Sequence, residues 1–161
     1  ILSYPVGPPV LYDNDDGVFS ATTLPGPELA FLLNLADVDG DGDSDLLAGG
    51  YKIEPVVVRN DGAEWTVLPL EGLPESGERV RELSPGDLDG DGIIDLYAMA
   101  NAGSDDPARR ADFMLRGAGD GTFTLLPDAV PQDLGAGRGF DAGGNNCDVA
   151  ETSMVRHVPS D

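Results

Sequence analysis

The chain contains one cysteine, Cys147, one histidine, His157, and one lysine, Lys52, among 161 residues. A lone thiol excludes an intrachain disulfide within these residues and any multi-thiolate zinc site, and a lone imidazole does not restore a zinc reading. No Ser-His-Asp set has a workable local design around His157, which reads as a solvated side chain near the end of the chain. Basic residues are scarce: 9 Lys+Arg face 30 Asp+Glu, a formal net charge of -21. Nucleic acid and anionic lipid bind through neutralisation by Lys and Arg, so this balance argues against both as partners. No apolar run reaches the roughly 18 residues that a membrane-spanning helix requires. The opening ILSYPVGPPV also lacks the basic flank and continuous apolar core of a secretory signal, although a trimmed mature chain would begin in the same way.

Glycine and proline are plentiful instead, at 22 and 13 residues, and they interrupt every stretch before a helical stripe can build up. Short apolar or alternating runs lie between the breaks: Leu29 to Leu35, Leu46 to Ala48, Val56 to Val58, Trp65 to Leu68, Leu96 to Ala100, Asp112 to Leu115 and Thr122 to Leu126. With 40% hydrophobic residues available for a core, this pattern predicts one all-β domain of many short strands. Two elements repeat. ADVDGDGDSDLLAGG at Ala36 to Gly50 returns as GDLDGDGIIDLYAMA at Gly86 to Ala100, and a hairpin-like element recurs as LYDNDDGVFSATTLP, VVVRNDGAEWTVLPL and FMLRGAGDGTFTLLP. Each full unit reads strand, Asp-rich loop, strand, link, strand, tight turn, strand, which has the dimensions of one four-stranded propeller blade. Residues 28–70 form one such unit and 78–127 a second. Residues 1–27 resemble the end of a preceding blade, and 135–158 the start of a degenerate following one. These amount to about three blade-equivalents, too few for a closed monomeric ring, so the expected setting is a larger propeller, completed by further chain or by an oligomer.

The acids are biased toward aspartate, 22 Asp against 8 Glu, and nine of the Asp fall in the two long loops. Calcium is a hard cation satisfied by six to eight oxygens, which requires several carboxylates on a tightly curled backbone. Loop positions 1, 3 and 5 supply them as Asp37, Asp39 and Asp41, then as Asp87, Asp89 and Asp91. Gly42 and Gly92 permit the sharp turn at position 6. Position 7 contributes its backbone carbonyl, which is why Asp43 in one loop can be Ile93 in the other. Position 9 is Asp45 and Asp95, at the start of the next strand and suited to a bidentate closing contact. Position 12 is Ala48 and Ala98, not the Glu of an EF-hand, and β-like segments follow directly, so a helical EF-hand is disfavoured. Two bound Ca²⁺ would add four positive charges and move the formal balance from -21 only to -17, leaving most of the acidity to another cause.

Other features are weaker. A third calcium site near Asp141 to Asp148 is not expected, because Gly143 and Gly144 stand where acids are needed. Cys147 reads as a buried strand residue or a thiol paired outside these residues. Asn101 to Ala111, with Arg109 and Arg110, reads as an exposed loop insertion.

Taken together, LYDNDDGVFSATT, LADVDGDGDSDLLAGG, VVVRNDGAEWTVL, PGDLDGDGIIDLYAMAN and LRGAGDGTFTLLPDA resemble the FG-GAP/VCBS family of β-propeller repeats, also seen in integrin α-subunit headpieces and in many bacterial secreted or surface proteins. The likeness covers Leu11 to about Pro127 well and the last 30 residues poorly. It implies calcium ligation by Asp37, Asp39, Asp41 and Asp45 with the Asp43 carbonyl, and by Asp87, Asp89, Asp91 and Asp95 with the Ile93 carbonyl. It also implies an extracellular, cell-surface or periplasmic scaffold that binds protein or glycan partners without catalysis. The alternative is a non-catalytic region of a secreted hydrolase whose active site lies outside the calcium loops. A fold likeness does not by itself transmit a ligand.

Overall fold

The computed structural model describes residues 7–28, 30–50, 52–74, 80–100, 112–127 and 129–130. The readings made for 135–158, Asp141 to Asp148, Cys147, His157, Arg109 and Arg110 lie outside these residues. Among the described residues there is no helix, and therefore none long and apolar enough to cross a membrane.

Ten strands form three antiparallel sheets: β1 (Val10–Asp15) with β2 (Val18–Thr23); β3 (Leu32–Ala36), β4 (Asp45–Gly50), β5 (Ile53–Asn60) and β6 (Trp65–Pro69); and β7 (Val80–Gly86), β8 (Asp95–Ala100), β9 (Phe113–Gly117) and β10 (Phe123–Leu126). Both four-stranded sheets are simple meanders in which every strand pairs with its sequence neighbour. Each has the form of a propeller-type blade, and together the described residues do not make a closed ring. The first two strands turn tightly at Asp16 (φ 48°) and Gly17 (φ 89°), the paired positive values of a two-residue hairpin. The Asn14 side chain caps this turn by accepting the Gly17 N–H at 2.9 Å.

Alternation along each strand decides which face meets which neighbour. Leu32, Leu47 and Val57 share one core with Val80, Leu83, Leu96, Ala98, Phe113 and Leu115, so the two meanders pack face to face. On the opposite face of the first sheet, Leu46, Ala48 and Val58 pack with Leu24 and Ala30, and with Leu11 from the first hairpin. Leu24 also donates its N–H to the Pro9 carbonyl at 2.9 Å, tying the base of that hairpin together. Strand β4 is consequently covered on both faces, and all six of its residues are buried. That explains DLLAGG as a continuous apolar run after its leading acid, where a sheet with one wet face would alternate. Polar contacts also cross between the meanders: the Asn34 amide donates to Glu82 Oε1 at 2.8 Å and to the Leu83 carbonyl at 2.7 Å, and Arg59 Nη1 donates to the Asp120 carbonyl at 3.3 Å. Strand β7 was absent from the apolar runs because Arg81, Glu82, Ser84 and Pro85 surround its two buried anchors, Val80 and Leu83.

Leu47 is fully enclosed between the sheets, whereas Val67 is an exposed strand residue. Leu47→Ala should cost about 2–5 kcal/mol in urea unfolding, and Val67→Ala should stay within about 0.5 kcal/mol. Equal costs would show that the inter-sheet core is not the main source of stability.

Candidate metal centre

In an up-and-down meander the first and third connections lie at the same end. The Asp-rich loop between β3 and β4 therefore stands beside the turn between β5 and β6, and the loop between β7 and β8 stands beside the turn between β9 and β10. The residue that joins loop to turn is the acid at the start of the second strand. Asp45 Oδ2 accepts the Val38 N–H at 2.8 Å, and its Oδ1 accepts the Asn60 N–H at 2.8 Å. Asp95 repeats both bonds, to the Leu88 N–H at 3.1 Å and the Gly117 N–H at 2.9 Å. Asp45 is 0% exposed and Asp95 2%, the two buried charged residues among those described. An oxygen that accepts one N–H keeps further acceptor capacity, so this anchoring leaves each carboxylate able to bind a cation as well.

Within the loops the curl is held by the acids' own backbone contacts. Asp37 accepts the N–H groups of Gly40 (2.8 Å) and Gly42 (3.0 Å), and Asp87 accepts those of Gly90 (2.7 Å) and Gly92 (3.0 Å). Gly42 and Gly92 have φ of 95° and 87°, a conformation that side-chain-bearing residues rarely adopt. Asp39 and Asp41 each accept the N–H two residues on, as do Asp89 and Asp91. The carboxylates that converge are Asp37, Asp39 and Asp45 in one loop and Asp87, Asp89 and Asp95 in the other, with oxygens in each set within 4.8 Å of one another. Asp41, Asp43 and Asp91 stand beside these triads, and Ile93 has only its carbonyl to offer. The donors are all hard oxygens on a curled backbone with one buried anchor. Each triad could hold a metal ion, and its chemistry fits a hard divalent cation.

Environment separates the acids electrostatically. Burial pushes the Asp45 carboxyl above the ordinary carboxylate range; the Asn60 and Val38 N–H groups work against this, and the nearby Asp39 and Asp41 charges add to it. Asp91 is held below that range by the Ile93 N–H and then by Arg116.

Two arginines next to the turns were not singled out from sequence. Arg59 Nε lies 2.9 Å from Asp61 Oδ1 and 3.6 Å from Asp39 Oδ2. One Arg116 Nη lies 2.8 Å from Asp89 Oδ2 and 3.0 Å from Asp91 Oδ2. A signal was present, since each arginine immediately precedes the residue whose N–H is taken by the buried acid, in Arg59-Asn60 and in Arg116-Gly117.

Two loops of one design, each fastened by a buried acid to its neighbouring turn, thus occupy equivalent places in two sheets. Residues 37–98 match the FG-GAP-like repeat. This match extends from the first acid of the first loop to the middle of β8, taking in both Asp-rich loops and well under half of the chain. It supports the FG-GAP/VCBS resemblance over that span. No curated protein and no solved structure matches the chain.

A Cβ placed on Gly117 would collide with the Ile94 carbonyl, a backbone atom that cannot rotate away. Gly117→Ala should therefore push the turn off Asp95, lowering the melting temperature, whereas Gly72→Ser, where nothing lies within 4 Å, should lower it less despite its positive φ. Calorimetry checks the order.

The opposite displacements of Asp45 and Asp91 predict that in chelator-dialysed protein Asp45 takes up its proton at higher pH, readable by carboxyl-carbon NMR. The sign for stability follows. Charged Asp45 is a cost above its raised folded pKa, relieved as pH falls, while ionised Asp91 adds stability that is lost as pH falls through its depressed value. Titration in the reverse order would defeat this account of burial.

Proposed function

We infer that the protein is a calcium-stabilised, non-enzymatic β-propeller-type scaffold with an extracellular, cell-surface or periplasmic setting, using its surface loops to bind protein or glycan. The observation that carries this reading is the recurrence, in two sheets, of one oxygen triad fixed by the same backbone hydrogen bonds. In this reading Asp37, Asp39, Asp41 and Asp45 with the Asp43 carbonyl serve one Ca²⁺, and Asp87, Asp89, Asp91 and Asp95 with the Ile93 carbonyl serve the other. The FG-GAP-like repeat match supports a scaffold role.

Calcium would supply charge compensation, removing the repulsion among acids crowded at the same end of each meander. The chain's own part is to preset the cradle. Glycines curl the loop, the Asp37 and Asp87 carboxylates hold that curl, and Asp45 and Asp95 join it to the turn. Further blades, from more chain or an oligomer, belong to the same reading, because the first hairpin leaves hydrophobic side chains uncovered. The exposed Val18 and Phe19 on β2, 72% and 65% accessible, are consistent with that need.

Calcium should bind at two sites per chain and raise the melting temperature, by mass action on the folded state. Magnesium should do so more weakly, because it demands tighter octahedral geometry and retains water. Isothermal titration after chelation measures both ions; absence of calcium uptake, or equal uptake of magnesium, would overturn the assignment.

A further inference from the structure

We propose that the arginine preceding each turn sets the cation affinity of the neighbouring Asp-rich loop, and that its different engagement in the two sheets makes the first loop the tighter calcium site. This rests on the calcium reading above and specifies which site fills first.

The arginines occupy the same register position. Leu46 pairs with Val58 and Leu96 with Leu115, so Arg59 and Arg116 follow directly, each on the third strand of its meander and opposite the buried acid. Their partners differ. Arg59 forms a fork with Asp61, Nε to Oδ1 at 2.9 Å and Nη2 to Oδ2 at 3.3 Å, and its Nη1 donates to the Asp120 carbonyl at 3.3 Å. Only the longer 3.6 Å approach to Asp39 reaches the first loop's triad. In the second sheet Ala118 stands where Asp61 stands in the first, and Arg116 instead places one nitrogen on both Asp89 and Asp91. Asp89 is a member of the second triad, so a fixed positive charge sits on a carboxylate that a cation would share.

The carboxylate inventory acts in the same direction. With the acids of the adjoining turns counted, five loop acids, Asp61 and Glu64 against Arg59 leave -6 around the first loop, and four loop acids and Asp120 against Arg116 leave -4 around the second. With water-like screening, two charge units several ångströms from a divalent ion correspond to about tenfold in affinity, and one corresponds to about threefold. The opposing possibility, that Arg116 aids binding by holding Asp89 in place, is the weaker effect. Asp89 is already fixed through the Asp91 N–H, and Arg116 is half exposed.

The experiment is calcium titration by calorimetry on the full chain, with Asp39→Ala isolating the second loop and Asp89→Ala isolating the first. Retained β-type circular dichroism confirms that each variant is folded. The isolated first loop should bind about tenfold more tightly than the second. In the Asp39→Ala background, Arg116→Gln should tighten binding about threefold, Arg116→Lys should restore most of the weaker affinity, and added KCl should shrink the difference. The same Arg116→Gln change in the Asp89→Ala background should leave binding unaltered. Equal affinities of the two loops, or an Arg116→Gln variant that binds calcium no better or less well, would overturn this inference and leave the calcium reading standing. Absence of calcium uptake by the unaltered chain would overturn both.

Discussion

The structure depends on a carboxylate taken out of water. A buried acid is costly unless its oxygens are satisfied, and here each oxygen accepts a backbone N–H from a different part of the chain. Asp45 links the first residues of its loop to the end of β5, and Asp95 does the same for β9. Without that link the Asp-rich loop and the turn would be independent surface features sharing one end of a sheet. With it, the loop's geometry is part of the sheet's register, and a ligand that tightened the loop would also tighten the hairpin.

The face-to-face packing extends this coupling between sheets. Val38, whose N–H is held by Asp45, is itself buried in the core shared by the two meanders. Arg59 reaches from the first loop's surroundings to the carbonyl of Asp120 in the second sheet's turn. A Cβ at Gly121 in that turn would press on Arg59 and Leu68 and touch Val38. The acid-rich end of one blade is therefore in contact with the turn of the next. This arrangement suits repeated units whose stability comes from neighbouring interfaces as well as from each unit's own core.

Charge is the second constraint. Most of the formal -21 lies outside the two triads, so metal binding alone does not account for the composition. What the arginines do is local. Eight of the nine basic residues are arginines, and two of these are placed beside the Asp-rich loops, where a planar, permanently charged group can meet two acids at once.

The sequence by itself determined the strand-rich class and the four-strand repeat, because Gly, Pro and short β-type runs leave no room for a helical stripe. The spacing of the loop acids was legible as well, and the structure brings Asp37, Asp39 and Asp45 together, and likewise Asp87, Asp89 and Asp95, with Asp41 and Asp91 beside the triads. The hairpin element was legible too, through Asn60-Asp61-Gly62 and Asp120-Gly121. Strand β7 was not, since only Val80 and Leu83 of its seven residues are enclosed. Tertiary structure alone decided that Asp45 and Asp95 are buried struts with both oxygens engaged, because one of the two N–H groups that satisfy each lies 15 or 22 residues further along. It alone decided the partners of Arg59 and Arg116. Those contacts exist only once antiparallel pairing brings the third strand's end beside the first loop, a proximity that no local pattern of residues encodes.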